Sequence, residues 1–436
     1  MFKSLPVSVS RRVRAWRQPW RHLVVALFLG LALTVAACGT STAGGGGPAP
    51  TTTAKPSPSA TATPAPTSWR IVSSPNVEYG DPVHSTNQLY AVSARSPSDA
   101  WAVGGSFVGA PGPAASLIER WDGTAWQLVT NPGPGNLYGV VAVSANDVWA
   151  VGRQGGNYDN RYQRYVYTTL ILHWNGSQWS VVPSPNPDLI GSYLNSVAAI
   201  STNDVWAVGY TGFTQGAGEA LIEHWDGKAW GVVSSPRPAA TTGSVYTAVT
   251  RIPGINQLWA VGYAQYGVAY TSTGYRQPLI ERWDGSAWHL VAGPLLSSGA
   301  FSGELNSVVA LSATDAWAVG EYTGTDHTIH PLIAHWDGTS WKVITGPDQH
   351  GSLASVAAAG ASDVRVVGHI FAGERNSSHL LIEQWNGTAW QVVPSLEPSG
   401  ALFSGLSGVA TDGAGNYWAV GFYTTHGSMT LIAHCP

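Results

Sequence analysis

The chain has 436 residues, 11% charged and 44% apolar, with 51 Gly, 21 Trp and a formal charge of −4. So large an apolar and aromatic share excludes disorder over most of the length, and an excess of Gly, Val, Thr and Trp over Lys and Glu favours strands over helices. Six of the 21 basic residues lie within residues 1–22, so the remainder carries about −10 and lacks the basic face that a nucleic-acid binder needs.

Residues 1–22 include Lys3, Arg11, Arg12, Arg14, Arg17 and Arg21 and no acid. The apolar run from His22 to Cys38 follows, shorter than the ~20 residues that span a bilayer and suited to the apolar region of a secretory signal. Its end, Val35-Ala36-Ala37-Cys38, resembles the bacterial lipobox. That resemblance implies removal of a signal peptide over 1–37, a lipid on Cys38, and a membrane-anchored protein facing outside the cytoplasm. Ser10-Arg11-Arg12 hints at a twin-arginine signal, but Arg14 stands where that signal has an apolar residue, which favours the general export route. Residues 38–68 then form a Gly/Ser/Thr/Ala/Pro segment with the single charge Lys55, expected to be a disordered stalk. Cys435 is left without a partner, so no disulfide framework is expected and the core alone must supply stability.

From Trp69 onward four short segments recur, clearest in the third unit. They are Leu194–Ile200, Asp204-Val-Trp-Ala-Val-Gly209, Leu221-Ile-Glu-His-Trp225 and Trp230-Gly-Val-Val233. Each reads as a strand (a, b, c and d in order), bounded by turn residues. Asp-Gly or Asn-Gly stands between c and d six times, from Asp122-Gly123 to Asn386-Gly387, and marks hairpins; Ser-x-x-Asp between a and b marks capped tight turns. The d-strand tryptophans Trp69, Trp126, Trp179, Trp230, Trp288, Trp341 and Trp390 follow one another at 49 to 58 residues. The first d strand has no a, b and c before it, and the last a, b, c set has no d after it. The spacing therefore predicts an all-β fold over 69–436: a seven-bladed β-propeller of four-stranded antiparallel blades, closed by the N-terminal strand completing the last blade.

In repeat length, four-stranded units and aromatic ranks the region resembles secreted bacterial propellers of the kelch and galactose-oxidase central-domain type. Only Gly104-Gly105 carries the kelch double glycine, and the Asp-Gly hairpins do not match the sialidase Asp-box. The resemblance implies a fold and transfers no activity.

All 19 tryptophans beyond Trp16 and Trp20 fall on strand b, c or d positions, which makes them packing residues between blades and leaves none for a sugar platform in a loop. His173, His224, His335 and His434 share one strand-c position on different blades, too far apart to converge on one metal. Asp326, His327 and His330 in one loop are a weaker metal candidate, and no metal or other cofactor is assigned. Glu119, Glu223, Glu281 and Glu383 also share one repeated position, which reads as structural, not as a glycosidase pair. Arg365 replaces a strand-b Trp, either stacking on aromatics or marking a weaker blade, and Cys435 replaces a strand-c Trp as a small buried filler.

The b–c and d–a connections, which share one face, are long and differ between units, whereas the a–b and c–d turns are short and uniform. Recognition is therefore expected on the variable face. Its candidate ligand-binding residues are Arg153, Tyr158, Arg161, Tyr162, Arg164 and Tyr165 in unit two, with Tyr263, Tyr266, Tyr270, Tyr275 and Arg276 in unit four. They suggest a binding or scaffold module for a glycan or protein ligand. The alternative is a polysaccharide-active hydrolase or lyase with its site at the channel mouth, where Asp159, Asp348 and Glu374 are the loop acids; no catalytic residue is assigned.

Overall fold

The computed structural model describes residues 68–436 apart from 79–84, 109–113, 161–163, 189–190, 215–216, 270, 272, 297–299, 348, 373–376 and 395–396. The expected signal peptide, Cys38 and the stalk up to residue 67 lie outside the described residues, as do Arg161, Tyr162, Tyr270, Asp348 and Glu374.

The described chain is built of strands, with no helix among them. A short β1 (Arg70–Val72) precedes seven repeats of four strands or three. The first is β2 (Ser85–Ser96), β3 (Asp99–Val108), β4 (Ala115–Trp121) and β5 (Trp126–Leu128). The second is β6 (Asn136–Ser144), β7 (Asp147–Asp159), β8 (Arg164–Trp174) and β9 (Trp179–Val181). The third is β10 (Ser192–Ser201), β11 (Asp204–Thr214), β12 (Ala217–Trp225) and β13 (Trp230–Val232). The fourth is β14 (Gly243–Arg251), β15 (Leu258–Tyr266), β16 (Tyr275–Trp283) and β17 (Trp288–Leu290). The fifth is β18 (Ser302–Ser312), β19 (Asp315–Thr323), β20 (Ile329–Trp336) and β21 (Trp341–Val343). The sixth is β22 (Gly351–Gly360), β23 (Asp363–Ala372), β24 (Ser377–Trp385) and β25 (Trp390–Val392). The last holds β26 (Phe403–Thr411), β27 (Tyr417–Thr424) and β28 (Ser428–Cys435).

Five repeats, the second to the sixth, form separate four-stranded antiparallel sheets. The first and last share an eight-stranded sheet, in which β1 pairs with β28 (Arg70 opposite His434, Val72 opposite Ile432) and one parallel bridge joins Thr86 to Ser428.

The turns follow their chemistry. In the a–b turns the Ser144 and Ser201 hydroxyls accept the N–H of Asn146 and Asn203, at 3.2 and 3.3 Å. Between c and d the connection is a four-residue loop, wider than the two-residue hairpin that Asp-Gly alone suggests, because Trp121 and Trp126 are already paired across it. The Asp122 carboxylate accepts the N–H groups of Thr124 and Ala125 at 2.8 and 3.0 Å, and Gly123 takes φ +98°, where a side chain would be strained.

The glycine of each Asp-x-Trp-Ala-Val-Gly segment serves a different purpose. A Cβ on Gly209 would lie 1.9 Å from the Tyr193 carbonyl oxygen, beside a bulge between Leu194 and Ser196 in β10. The same bulge occurs in the a strand of every repeat, and its extra residue faces inward. These residues (Tyr90, Tyr138, Asn195, Thr247, Asn306, Ala354 and Ser407) all line one cavity of about 170 Å³. Where the bulge disrupts the ladder, side chains bind the next repeat instead: Asn195 Nδ2 donates to Tyr246 O (2.7 Å), Thr247 Oγ1 to Leu305 O (2.6 Å) and Asn306 Nδ2 to Leu353 O (2.9 Å).

Away from this cavity the repeats meet through tryptophan. Each strand-b Trp packs on the strand-c and strand-d Trps of the following repeat. Trp101 lies 5.1 Å from Trp174 and 5.3 Å from Trp179; Trp418 of the last repeat lies 4.8 Å from Trp121 and 5.2 Å from Trp126 of the first. The pair to the strand-d Trp is edge-to-face at 87° in both cases, the geometry that opposed ring quadrupoles favour. The recurring strand-c histidines cover the strand-b rings. His173 sits 4.2 Å from Trp149 with Nε2 2.8 Å from Asp147, and His224 and His335 repeat the arrangement on Trp206 and Trp317.

Unit six departs from this rule in a compensated way. Arg365 is buried and stacks 4.8 Å over Tyr417, with Nε 3.2 Å from Asp363 and Nη1 3.4 Å from Cys435 Sγ. Cys435 is small enough to leave room for the guanidinium where a Trp would collide, so the two substitutions belong together.

The repeated glutamates are fully buried. Glu119 accepts from the Ser74 hydroxyl at 3.0 Å, whereas neither carboxyl oxygen of Glu223 or Glu383 has a hydrogen-bond partner among the described residues. Burial pushes Glu223 up to about 8 and Glu383 to about 7 from the usual 4.5.

Two outcomes follow for stability. Trp259 is completely buried between Trp336 and Trp341, so Trp259→Ala is expected to cost about 3–5 kcal/mol and lower the thermal midpoint by roughly 5 °C, read by tryptophan fluorescence; a shift under ~1 °C contradicts the packing. The folded state holds the Glu223 and Glu383 protons more tightly than the unfolded chain does. Their favourable contribution is therefore complete below the unfolded carboxyl range and is lost as pH rises through 7 to 8. The midpoint should fall between pH 5 and pH 9, and the Glu223→Gln, Glu383→Gln double variant should flatten that fall; an unchanged slope contradicts the assignment.

Candidate functional site

The variable face is built where the a strands begin, the b strands end and the c strands begin. Unit two does not carry a loose loop there. Its Arg153–Tyr167 stretch continues the β7–β8 hairpin to Asp159 and Arg164, because Tyr and Val at alternating positions pair across the two strands. Tyr158 and Tyr165 face each other across it, 5.3 Å apart and edge-to-face, at 49% and 45% exposure.

Arg153 lies deeper. Its guanidinium stands 4.2 Å from the Tyr167 ring, 5.1 Å from Tyr193 and 5.8 Å from Tyr138. Tyr90 lies 5.3 Å from Tyr138, and Tyr193 stacks on Tyr210 at 4.6 Å and 14°. A cation thus lies within a run of five tyrosines drawn from the first three repeats, and two of them, Tyr90 and Tyr138, also line the shared inner cavity. All six side chains are half-buried. Burial pushes the Tyr90 phenol up to about 12 and raises Tyr138 and Tyr210 as well, so these hydroxyls stay protonated and can donate at neutral pH. Rings held by stacking, with one fixed cation between them, offer flat apolar area with polar edges at low entropic cost.

Unit four divides in two. Tyr266 and Tyr275 stack at 5.1 Å and 8° on the stem of the β15–β16 hairpin, half-buried and exposed respectively. Tyr263, expected as an exposed contact, is 93% buried, because it forms the floor beneath Arg276 at 4.1 Å. Arg276 is ion-paired with Glu304 of the fifth repeat, and Glu304 sits opposite Glu321 in the β18–β19 ladder. Burial raises the Glu304 carboxyl, and the Arg276 charge opposes that rise. These groups line a cleft of about 480 Å³.

Of the residues expected from the sequence, the structure brings Arg153 into the tyrosine cluster and pairs Tyr158 with Tyr165, Tyr266 with Tyr275, and Tyr263 with Arg276. The side chain of Arg164 is not among those described, and Asp159 lies at the tip of the unit-two hairpin. Sequence reasoning missed Tyr90, Tyr138, Tyr193 and Tyr210, which sit inside strands and read as core. The available signal was their place at or beside the a-strand bulge and at the strand-b end. It also missed Glu304 and Glu321, which are neighbours only through strand pairing.

Asp326 and His330, of the weaker metal candidate, do come together, but with His350 and not with His327. The His327 ring stacks on Phe301 at 4.9 Å.

Sequence comparison matches no known protein family and no curated relative. Comparison of structures finds likeness to YCF48 bound to D1 peptide, at 17% identity and a TM-score of 0.50 over 84% of this chain and 96% of that one. YCF48 from Cyanidioschyzon merolae is similar at 14% identity and a TM-score of 0.48, covering 84% of this chain and 98% of that one. A polysaccharide lyase of the PL25 ulvan lyase group is similar at 10% identity and a TM-score of 0.48, covering 79% and 96%. Together with the succession of four-stranded antiparallel sheets, the first of these likenesses shows a β-propeller fold.

Proposed function

We propose that the protein is an extracytoplasmic, lipid-anchored binding module: a ring of seven four-stranded blades whose variable face holds a glycan or protein ligand. The ring reading is supported by β1 supplying a fourth strand beside β28, by the Trp418 contact with Trp121 and Trp126, and by the seven bulge residues around one cavity. On this reading the eight-stranded sheet is two blades joined by the single Thr86–Ser428 bridge. The Cys38 lipid rests on the lipobox resemblance and would hold the ring outside the cytoplasm on its stalk.

The observation that carries the binding reading is Arg153 held among Tyr138, Tyr167 and Tyr193, of which Tyr138 also lines that cavity. Its stacked rings and protonated hydroxyls suit a sugar ring or an extended peptide, each of which presents flat faces edged with polar groups. The exposed Tyr158–Tyr165 pair extends the same surface outward.

An enzymatic reading has one specific observation in its favour. Glu304 and Glu321 meet beside Arg276 in a cleft, and a half-buried carboxyl with a raised proton affinity next to a second carboxyl is an arrangement that general acid–base chemistry uses.

The test is a screen of the full-length protein against glycans, cell-wall fragments and peptides, with product release followed in the same samples. Saturable binding without turnover, weakened at least about tenfold by Arg153→Ala and by the Tyr158→Ala, Tyr165→Ala double variant, is expected. Turnover abolished by Glu304→Gln at unchanged affinity would replace the binding reading with the enzymatic one.

A further inference from the structure

We infer that Asp326, His330 and His350 form a binding site for a divalent transition-metal ion, zinc being the best fit to two imidazoles and one carboxylate. The donor atoms come together on the variable face: the β19–β20 turn supplies Asp326, the start of β20 supplies His330, and the segment before β22 supplies His350. One ligand atom from each of the three lies within 4.8 Å of the others. Ligands about 2.0–2.2 Å from one tetrahedral ion stand roughly 3.3–3.6 Å apart, so the donors need to close by up to about 1.5 Å, a movement that rotation of the exposed Asp326 and His350 side chains can supply.

The Thr328 hydroxyl marks the point of convergence. It lies 2.5 Å from Asp326 Oδ2, 2.8 Å from His330 Nε2 and 3.1 Å from His350 Nδ1. A neutral oxygen in reach of all three donors is placed either to become a fourth ligand or to rotate aside for a cation.

Each donor is anchored from outside the cluster, as metal ligands need to be. The His330 ring lies 5.3 Å from Tyr322 at an interplanar angle of 22°. The backbone carbonyl of His350 accepts the Phe371 N–H at 2.9 Å. The turn carrying Asp326 is closed by Gly324 N donating to Thr328 O (3.0 Å) and by His327 N donating to Gly324 O (3.1 Å). His327 takes φ +60° to complete it, and any Cβ on Gly324 would come 2.8 Å from Asp326 Oδ1 and 3.0 Å from His330 Nε2. The Asp326 carboxylate accepts from the Thr328 backbone N–H at 3.0 Å and from its hydroxyl at 2.5 Å, and lies 3.1 Å from His330 Nε2.

His330 also forms part of the wall of a cavity of about 310 Å³ that includes Tyr322, Leu332 and Pro347. Three protein donors leave at least one coordination position open, as in zinc sites that exchange a water for an incoming group. The ion would fasten the fifth-repeat turn to the segment that enters the sixth, and would present a Lewis-acidic position beside this cavity. Neither role depends on the tyrosine cluster, so the site stands or falls separately from the proposed ligand surface.

The experiment is titration of the full-length protein with zinc chloride by calorimetry, with the visible spectrum of the cobalt(II) form as a second readout. One equivalent should bind and raise the thermal midpoint, reversibly with a chelator. His350→Ala and Asp326→Ala should each weaken binding at least about tenfold, while His289→Ala, which removes a surface histidine outside the site, should leave it unchanged. His350 is exposed, so its removal leaves the core intact, and tryptophan fluorescence of each variant confirms folding. The absence of saturable binding below ~100 µM, or binding that survives both His330→Ala and His350→Ala, would overturn the site.

Discussion

The structure depends on one contact repeated around it: a strand-b tryptophan seated against the strand-c and strand-d tryptophans of the next repeat. No single four-stranded sheet here can bury its own aromatic face. The face is buried only when a second sheet supplies the partner rings, so each repeat is stable only beside its neighbour. The last strand-b ring, Trp418, finds its partners on the first repeat, and this gives the short β1 strand a place beside β28. With no disulfide among the described residues and Cys435 used as a space-filling side chain, this aromatic packing carries the cohesion between sheets.

The inner edge obeys a second constraint. Crowding seven a strands together forces a bulge in each, and the bulge is possible only because the opposite strand-b residue is glycine. The bulged residues then take on different tasks. Asn195, Thr247 and Asn306 bind the next repeat, whereas Tyr90 and Tyr138 instead join the tyrosine cluster around Arg153. The same local device therefore builds the scaffold on one side of the cavity and the candidate binding surface on the other.

Much of this was legible in the sequence, and the reason is periodicity. The Trp ranks, the Asp-Gly turns and the Leu-Ile-Glu segments recur at fixed offsets, so strand order and the packing role of nearly every Trp follow from counting. The pairing of Arg365 with Cys435 was half legible: both depart from the repeat, but only the three-dimensional register shows that one departure makes room for the other. The site was less legible because its parts are not periodic. Arg153 stood out by composition, while Tyr193 and Tyr210 looked like ordinary strand residues until stacking placed them beside it. Hairpin extension was hidden for a similar reason, since the Tyr/Arg stretch of unit two reads as a loop by length and as strands by alternation. His350 could not be tied to His330 from sequence, because the start of β20 and the segment before β22 meet only in the fold.

The most direct test of the account is residue-resolved amide hydrogen exchange of β1 in the full-length protein. If β1 completes the last blade, its ladder amides should be protected to the same degree as those of the equivalent edge strands β9 and β13, each of which belongs to a separate four-stranded sheet. Exchange of Arg70–Val72 at the rate of an unstructured terminus would contradict a closed ring and, with it, the packing rule on which the rest of the structure is built.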